Sequence, residues 1–335
     1  MSQLPEMVRA LLDPEIYPDA APAVELMQTQ MSFVFLAGDY VYKVKKPVNL
    51  GYLDYTTLEK RRFYCQREVE LNQRLCPETY LGVVPITREA GKIILGGRGE
   101  VIEYAVKMRH LPQEAMLNVL LAKNQVSPEM ITRVAEKLAE FHRKAETSVD
   151  ISRFGELETI KANAEENFDQ TVKYLGQTIS QPGYQHIRHY TRSFIKTGAP
   201  LFLQRVTGGM IRDCHGDLHA AHICFTDKIC IYDCIEFNDR FRYCDVASEV
   251  AFLAMDLDHY YRADLSRSFV DAYENYGQDK GLRSLLNFYK CYRAYVRGKV
   301  ESFKLDDPHI SEKEKVGTLA VAKHYFELAE SYTGG

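Results

Sequence analysis

Asp213-Cys214-His215-Gly216-Asp217-Leu218-His219-Ala220-Ala221-His222-Ile223-Cys224-Phe225 is followed, after a turn, by Ile231-Tyr232-Asp233-Cys234-Ile235-Glu236-Phe237-Asn238-Asp239. Within it, Ile223-Cys224-Phe225 and Ile229-Cys230-Ile231-Tyr232 are two short strand-like runs, so Asp217 and Asp233 bracket a short hairpin. A loop followed by a hairpin can bring two carboxylates close together. Phosphoryl transfer uses such a pair: one carboxylate orients the attacking hydroxyl, and the other holds the metal that bridges the nucleotide phosphates.

The sequence on either side divides by pattern. Residues 33 to 46 hold two β-rich runs split by Ala37-Gly38-Asp39, a hairpin signal, and Pro47 closes the second. Thr56-Thr57-Leu58-Glu59 fits a capping box, and helical spacing then runs to Leu75, before Pro77. Further strands are expected at 81 to 86, 91 to 95 and 100 to 108. Beyond Leu111-Pro112 the pattern turns helical. Ser127-Pro128-Glu129 starts a helix whose Ile131, Val134, Leu138 and Phe141 recur at core spacing.

His215-Gly216-Asp217-Leu218-His219 resembles the catalytic loop of the aminoglycoside phosphotransferase and choline kinase group, whose pattern is H-G-D-x-x-x-x-N. The resemblance implies an α+β, protein-kinase-like two-lobed fold. An N-terminal ATP-binding lobe of antiparallel sheet plus one helix would span residues 1–106, and a mostly helical catalytic and substrate-binding lobe 107–335. It implies ATP and Mg²⁺ as cofactors, a small-molecule hydroxyl as acceptor, Asp217 as catalytic base and Asp233 as metal ligand. Asp245, twelve residues after Asp233, matches a family aspartate that braces the catalytic loop.

Where the pattern has its metal-ligating Asn, this chain has His222, as does an uncharacterised bacterial subgroup that it resembles. An imidazole suits Mn²⁺ or Zn²⁺ better than the oxygen-seeking Mg²⁺, so His222 is a candidate metal ligand and Mn²⁺ a candidate ion.

A kinase-like fold also needs a strand lysine and a helix glutamate to clamp the nucleotide phosphates. Val41, Lys43 and Lys45 share one strand face, and choosing Lys43 puts apolar Val41 at the adenine-covering position. Glu68 shares a helix stripe with Leu71 and Leu75, whereas Glu70 faces Arg74, so the expected clamp is Lys43 with Glu68. Lys45 and Glu70 stay open as alternatives. The resemblance places the adenine contact on backbone groups of an inter-lobe link, Glu103, Tyr104, Ala105, Val106 and Lys107, and lets the turn near Gln28 to Phe33 cover the phosphates.

No G-x-x-x-x-G-K-[ST] occurs, which excludes a P-loop site. Eight cysteines without a Cys-x-x-Cys pair read as reduced thiols, and the N-terminus shows no secretory signal, so cytoplasmic residence is expected. A net charge of −4 with interspersed signs argues against nucleic acid or an anionic membrane as partner. Two rival readings remain: a Zn-type hydrolase built on His215, Asp217, His219 and His222 with Asp233 bridging, and a nucleotide-binding regulator without turnover.

Overall fold

The computed structural model describes residues 4–19, 21–308 and 310–334. In chain order its elements begin with α1 (Glu6–Ala10), β1 (Val24–Gln28), β2 (Ser32–Ala37), β3 (Tyr40–Lys45), α2 (Leu58–Gln73), β4 (Tyr80–Glu89), β5 (Lys92–Leu95) and β6 (Glu100–Arg109). Then come α3 (Leu117–Ala122), α4 (Pro128–Lys144), α5 (Val149–Ser152), α6 (Leu157–Thr171), α7 (Gln181–Thr197), α8 (Ala199–Thr207) and β7 (Ile211–Asp213). The hairpin β8 (Ile223–Phe225) and β9 (Ile229–Ile231) follows, then α9 (Asp239–Arg242), β10 (Tyr243–Asp245), α10 (Val246–His259), α11 (Ala263–Gly277), α12 (Leu282–Phe303) and α13 (Glu312–Ser331).

Two compact units result, one from residues 1–119 and 221–239, the other from 120–220 and 240–335. The boundary expected at 106/107 lies inside β6. Chain beyond that strand stays with the first unit because Met116 bridges Cys224 of the hairpin, and Cys76, Met116, Cys224 and Cys230 form one apolar cluster. Cys76 and Cys230 are joined by a disulfide, which corrects the reading of all eight cysteines as reduced thiols.

The first unit is an antiparallel sheet in the order β1-β2-β3-β6-β4-β5. The β2–β3 turn falls where Ala37-Gly38-Asp39 signalled it, with Gly38 at φ 60°, a backbone state glycine adopts without strain. The β1–β2 turn is tightened by the Thr29 hydroxyl, which accepts from the Met31 and Ser32 amides, and Lys46 Nζ donates to Thr29 O at 2.6 Å. α2 is capped by Thr57, whose side chain accepts from Lys60 N, one residue later than the capping box predicts.

The second unit is built around α10, which is buried from Val246 to Leu257 and packs against α11 and α12. α4 begins at its Ser127 cap as the sequence indicates and buries Ile131, Val134, Leu138 and Phe141. No helix among the described residues is long and apolar enough to cross a membrane.

Candidate active site

In the first unit, the alternating pattern of β3 puts Lys43 and Lys45 on the side of the sheet that α2 covers, and both reach Glu68. Lys43 Nζ lies 2.9 Å from Glu68 Oε1 and 2.9 Å from Asp233 Oδ1. Lys45 Nζ lies 2.7 Å from Glu68 Oε2 and also bonds Glu236 Oε1, to which the Tyr55 hydroxyl donates at 2.7 Å. Five charged groups therefore alternate in sign: Asp233, Lys43, Glu68, Lys45, Glu236. Burial alone would depress the Lys43 ammonium, but Asp233 and then Glu68 override it and hold it well above the usual lysine range. Burial likewise works against the Glu68 carboxylate, yet Lys43 and Lys45 together keep it below its ordinary value. Lys43, Lys45 and Glu68 are thus charged at neutral pH.

The segment carrying Asp233 is held closely. Asp233 has φ 62°, a left-handed conformation that costs a non-glycine residue about 1–3 kcal/mol and persists only where its surroundings enforce it. Its N–H donates to the Tyr80 hydroxyl at 3.2 Å, and the next amide, of Cys234, donates to Asn72 Oδ1 at 2.9 Å. Asn72 Nδ2 in turn donates to Glu68 O at 2.8 Å, which fixes the amide's orientation. His222, at the start of the hairpin, has its Nε2 3.6 Å from Asp233 Oδ2.

In the second unit, β7 pairs with β10 and delivers the chain into the loop that contains Asp217. That loop is held by its backbone. Glu249 Oε1 accepts from His215 N at 2.8 Å and from Gly216 N at 2.7 Å, and Arg293 Nη1 donates to Gly216 O at 3.3 Å. Glu249 is fully buried, and its Oε2 meets His142 Nε2 at 2.8 Å while His142 Nδ1 meets the Tyr273 hydroxyl at 2.7 Å. Burial pushes the Glu249 carboxyl up, but His142 and the loop amides pull it down to about 2. Asp217 keeps 33% of its side chain exposed, with His219 Nε2 3.6 Å from its Oδ2.

Three expectations change. Asp245 does not bond the Asp217 loop directly: it binds Arg205, which also bonds Asp279, and it caps α10 through Ala247 N. The loop amides go to Glu249, one turn further along α10. The segment Glu103 to Lys107 is no link, since it lies within β6 between β3 and β4 and its backbone groups serve those ladders. Glu103 is paired with Arg61 at 2.7 Å and Lys107 with Asp19 at 2.6 Å, while Ala105 and Val106 are buried. The chain leaves the sheet at His110 to Met116 instead. Finally, His215 is fully buried and its Nδ1 accepts from Asp217 N at 3.3 Å, which removes it from the metal cluster of the hydrolase reading.

Val41 is buried on β3, two residues before Lys43. Lys43 and Lys45 are partners rather than alternatives, since both bind Glu68, and Asn72, Tyr80, Glu236 and Glu249 join the site without a motif of their own. Asn72 had a signal: it lies one helical turn beyond Glu68 on the same face.

No family model matches the chain. An uncharacterized protein of Mycobacterium tuberculosis H37Rv is 34% identical over 281 residues, 84% of this chain and 55% of that protein. The chain thus spans about half the length of the curated relatives it matches. Among solved structures, a choline/ethanolamine kinase family protein from Mesorhizobium loti superposes with a TM-score of 0.55 at 14% identity, over 98% of this chain and 97% of that one. The GDP complex of aminoglycoside 2'-phosphotransferase-IIIa gives 0.54 at 13% identity, over 97% and 99%. The chain has the α+β, protein-kinase-like fold of the aminoglycoside phosphotransferase and choline kinase group.

Proposed function

We propose that this protein is an ATP-dependent phosphotransferase that moves the γ-phosphate to a hydroxyl of a small molecule. The observation that carries the reading is Lys43, held 2.9 Å from both Glu68 and Asp233. A strand lysine braced by a helix glutamate beside a metal-binding aspartate is the equipment needed to bind and polarise nucleotide phosphates. Lys45 adds to it. Because Lys45 also neutralises Glu68, Lys43 can turn toward a phosphate without leaving a buried carboxylate uncompensated.

In this reading Lys43 binds the phosphates, Asp233 holds the divalent cation, and Asp217 orients the acceptor hydroxyl and takes its proton. The donor set fits a cation that draws most of its ligands from the nucleotide: Asp233 offers hard oxygen, and His222 beside it offers nitrogen. Mg²⁺ or Mn²⁺ bound there would neutralise charge on the transferring phosphoryl group. The nucleotide's purine would meet the segment His110 to Met116, where the chain leaves the sheet. Cytoplasmic residence and a small-molecule acceptor, rather than nucleic acid or membrane, belong to the same proposal.

The test is a turnover screen of purified protein with ATP or GTP, Mg²⁺ or Mn²⁺, and pooled sugars, amino alcohols and antibiotics, reading nucleoside diphosphate release. Acceptor-dependent release supports the proposal. Nucleotide binding without turnover in any pool supports the regulator reading instead, and nucleotide-independent hydrolysis with stoichiometric zinc supports the hydrolase.

A further inference from the structure

The strained Asp233 sits on a support that neither the sequence motif nor the fold explains. Two buried polar side chains, Tyr80 at 1% exposure and Asn72 at 0%, accept the consecutive amides of Asp233 and Cys234. They come from different elements, the first residue of β4 and the last full turn of α2. Buried polar atoms are costly unless paired, so the pairing they make locates their use. Asn72 belongs to a stripe of α2 that follows the aspartate's segment closely. Glu68 meets Lys43 and Lys45, Asn72 meets Cys234 N, and Cys76, just past the helix end, is joined to Cys230. The Tyr80 ring packs with Cys65, Val69 and Val106, so its hydroxyl is carried on a rigid apolar body.

We propose that Tyr80 and Asn72 are positioning residues that hold Asp233 in its left-handed backbone conformation and so aim its carboxylate at the nucleotide's metal ion. The proposal rests on the reading of Asp233 as that ligand. A left-handed residue turns its N–H off the line of the preceding strand, and the amide then needs an acceptor of its own. Tyr80 provides it. Without the two acceptors the chain at Asp233 relaxes toward the ordinary basins and the carboxylate is no longer kept beside Lys43 and His222. The loss falls on metal-dependent binding, because neither side chain needs to touch the nucleotide.

Tyr80→Phe removes one oxygen and keeps the ring, and Asn72→Leu removes both amide bonds at similar volume. Tyr42→Phe, which deletes another buried phenol oxygen in the same sheet, is the matched control. Each variant and the unaltered protein are titrated with ATP by calorimetry, with and without Mg²⁺, and melted. The expected result for Tyr80→Phe is a loss of about tenfold in Mg²⁺-dependent ATP affinity, about 1.4 kcal/mol, with metal-free affinity within about threefold. Asn72→Leu loses at least as much, and Tyr42→Phe is unchanged. If Tyr80→Phe and Asn72→Leu keep the full Mg²⁺-dependent affinity, or lose metal-free affinity equally, the positioning role is overturned alone. If the unaltered protein gains no ATP affinity from Mg²⁺, the reading of Asp233 falls and this proposal with it.

Discussion

Both units fix the backbone beside their key carboxylate on buried side chains, and they differ in what the carboxylate itself meets. Asp233 sits at the end of a chain of alternating charges, where lysine and carboxylate side chains neutralise one another and leave little slack. Asp217 is held through the backbone of its loop, by amides bonded to the buried Glu249, and its side chain, 33% exposed against 43% for Asp233, lies outside that set of ion pairs. Side-chain bonds can be exchanged for a ligand's, as Lys43 would exchange Asp233 for phosphate. Backbone bonds fix a direction without using the carboxylate. In the proposed reaction the first arrangement suits a group that holds the nucleotide's cation, and the second a group that meets the acceptor hydroxyl.

The comparison can be broken first at Lys45. Lys45→Met strands Glu236 without its cation and leaves Glu68 with Lys43 alone, and removing one partner of a buried pair costs about 3–5 kcal/mol. Lys45→Met combined with Glu236→Gln should recover part of that loss in denaturant unfolding. A cost below about 1 kcal/mol for Lys45→Met alone would mean that the alternating charges are not what holds this unit.

The backbone-held loop gives a smaller, pH-dependent effect. Glu249 sits at about 2 against an ordinary 4.5, so its contribution is fully present above the ordinary value and is lost as pH falls between the two. That displacement corresponds to on the order of 3 kcal/mol. Glu249→Gln should therefore be less stable than the unaltered protein near neutrality by roughly that amount, with the gap closing as pH drops from about 4.5 toward about 2. A gap that is constant with pH would separate Glu249's charge from the loop's stability. The smallest effect is expected at His222, where His222→Asn should lower the ratio of Mn²⁺ to Mg²⁺ activity by at least about threefold. An unchanged metal profile would remove His222 from the ligands.

Much of this was legible in advance because its signals are local. Gly38 marks its hairpin, Ser127 caps its helix, and the spacing from Asp217 to Asp233 leaves room for the hairpin between them. The supports were not legible, since they join residues far apart in sequence: Tyr80 meets Asp233 and Glu249 meets His215 only once the chain has folded. The expected link falls inside a strand for a related reason. Strand signal extends through Arg109, but whether a strand ends at a link or runs between two neighbours depends on pairing that no single strand records. Asp245 lay at the resembling spacing, yet Arg205, forty residues upstream, takes its carboxylate.

Calorimetric titration of ATP with Mg²⁺ into the unaltered protein, Asp233→Asn and Asp217→Asn, beside a turnover assay, tests the division of labour most directly. Asp233→Asn should lose both metal-dependent ATP binding and turnover. Asp217→Asn should keep ATP affinity within about threefold, roughly 0.7 kcal/mol, while turnover falls at least about a hundredfold. Equal loss of ATP binding in both variants would contradict the separate roles, and full turnover in Asp217→Asn would contradict the phosphotransfer mechanism itself.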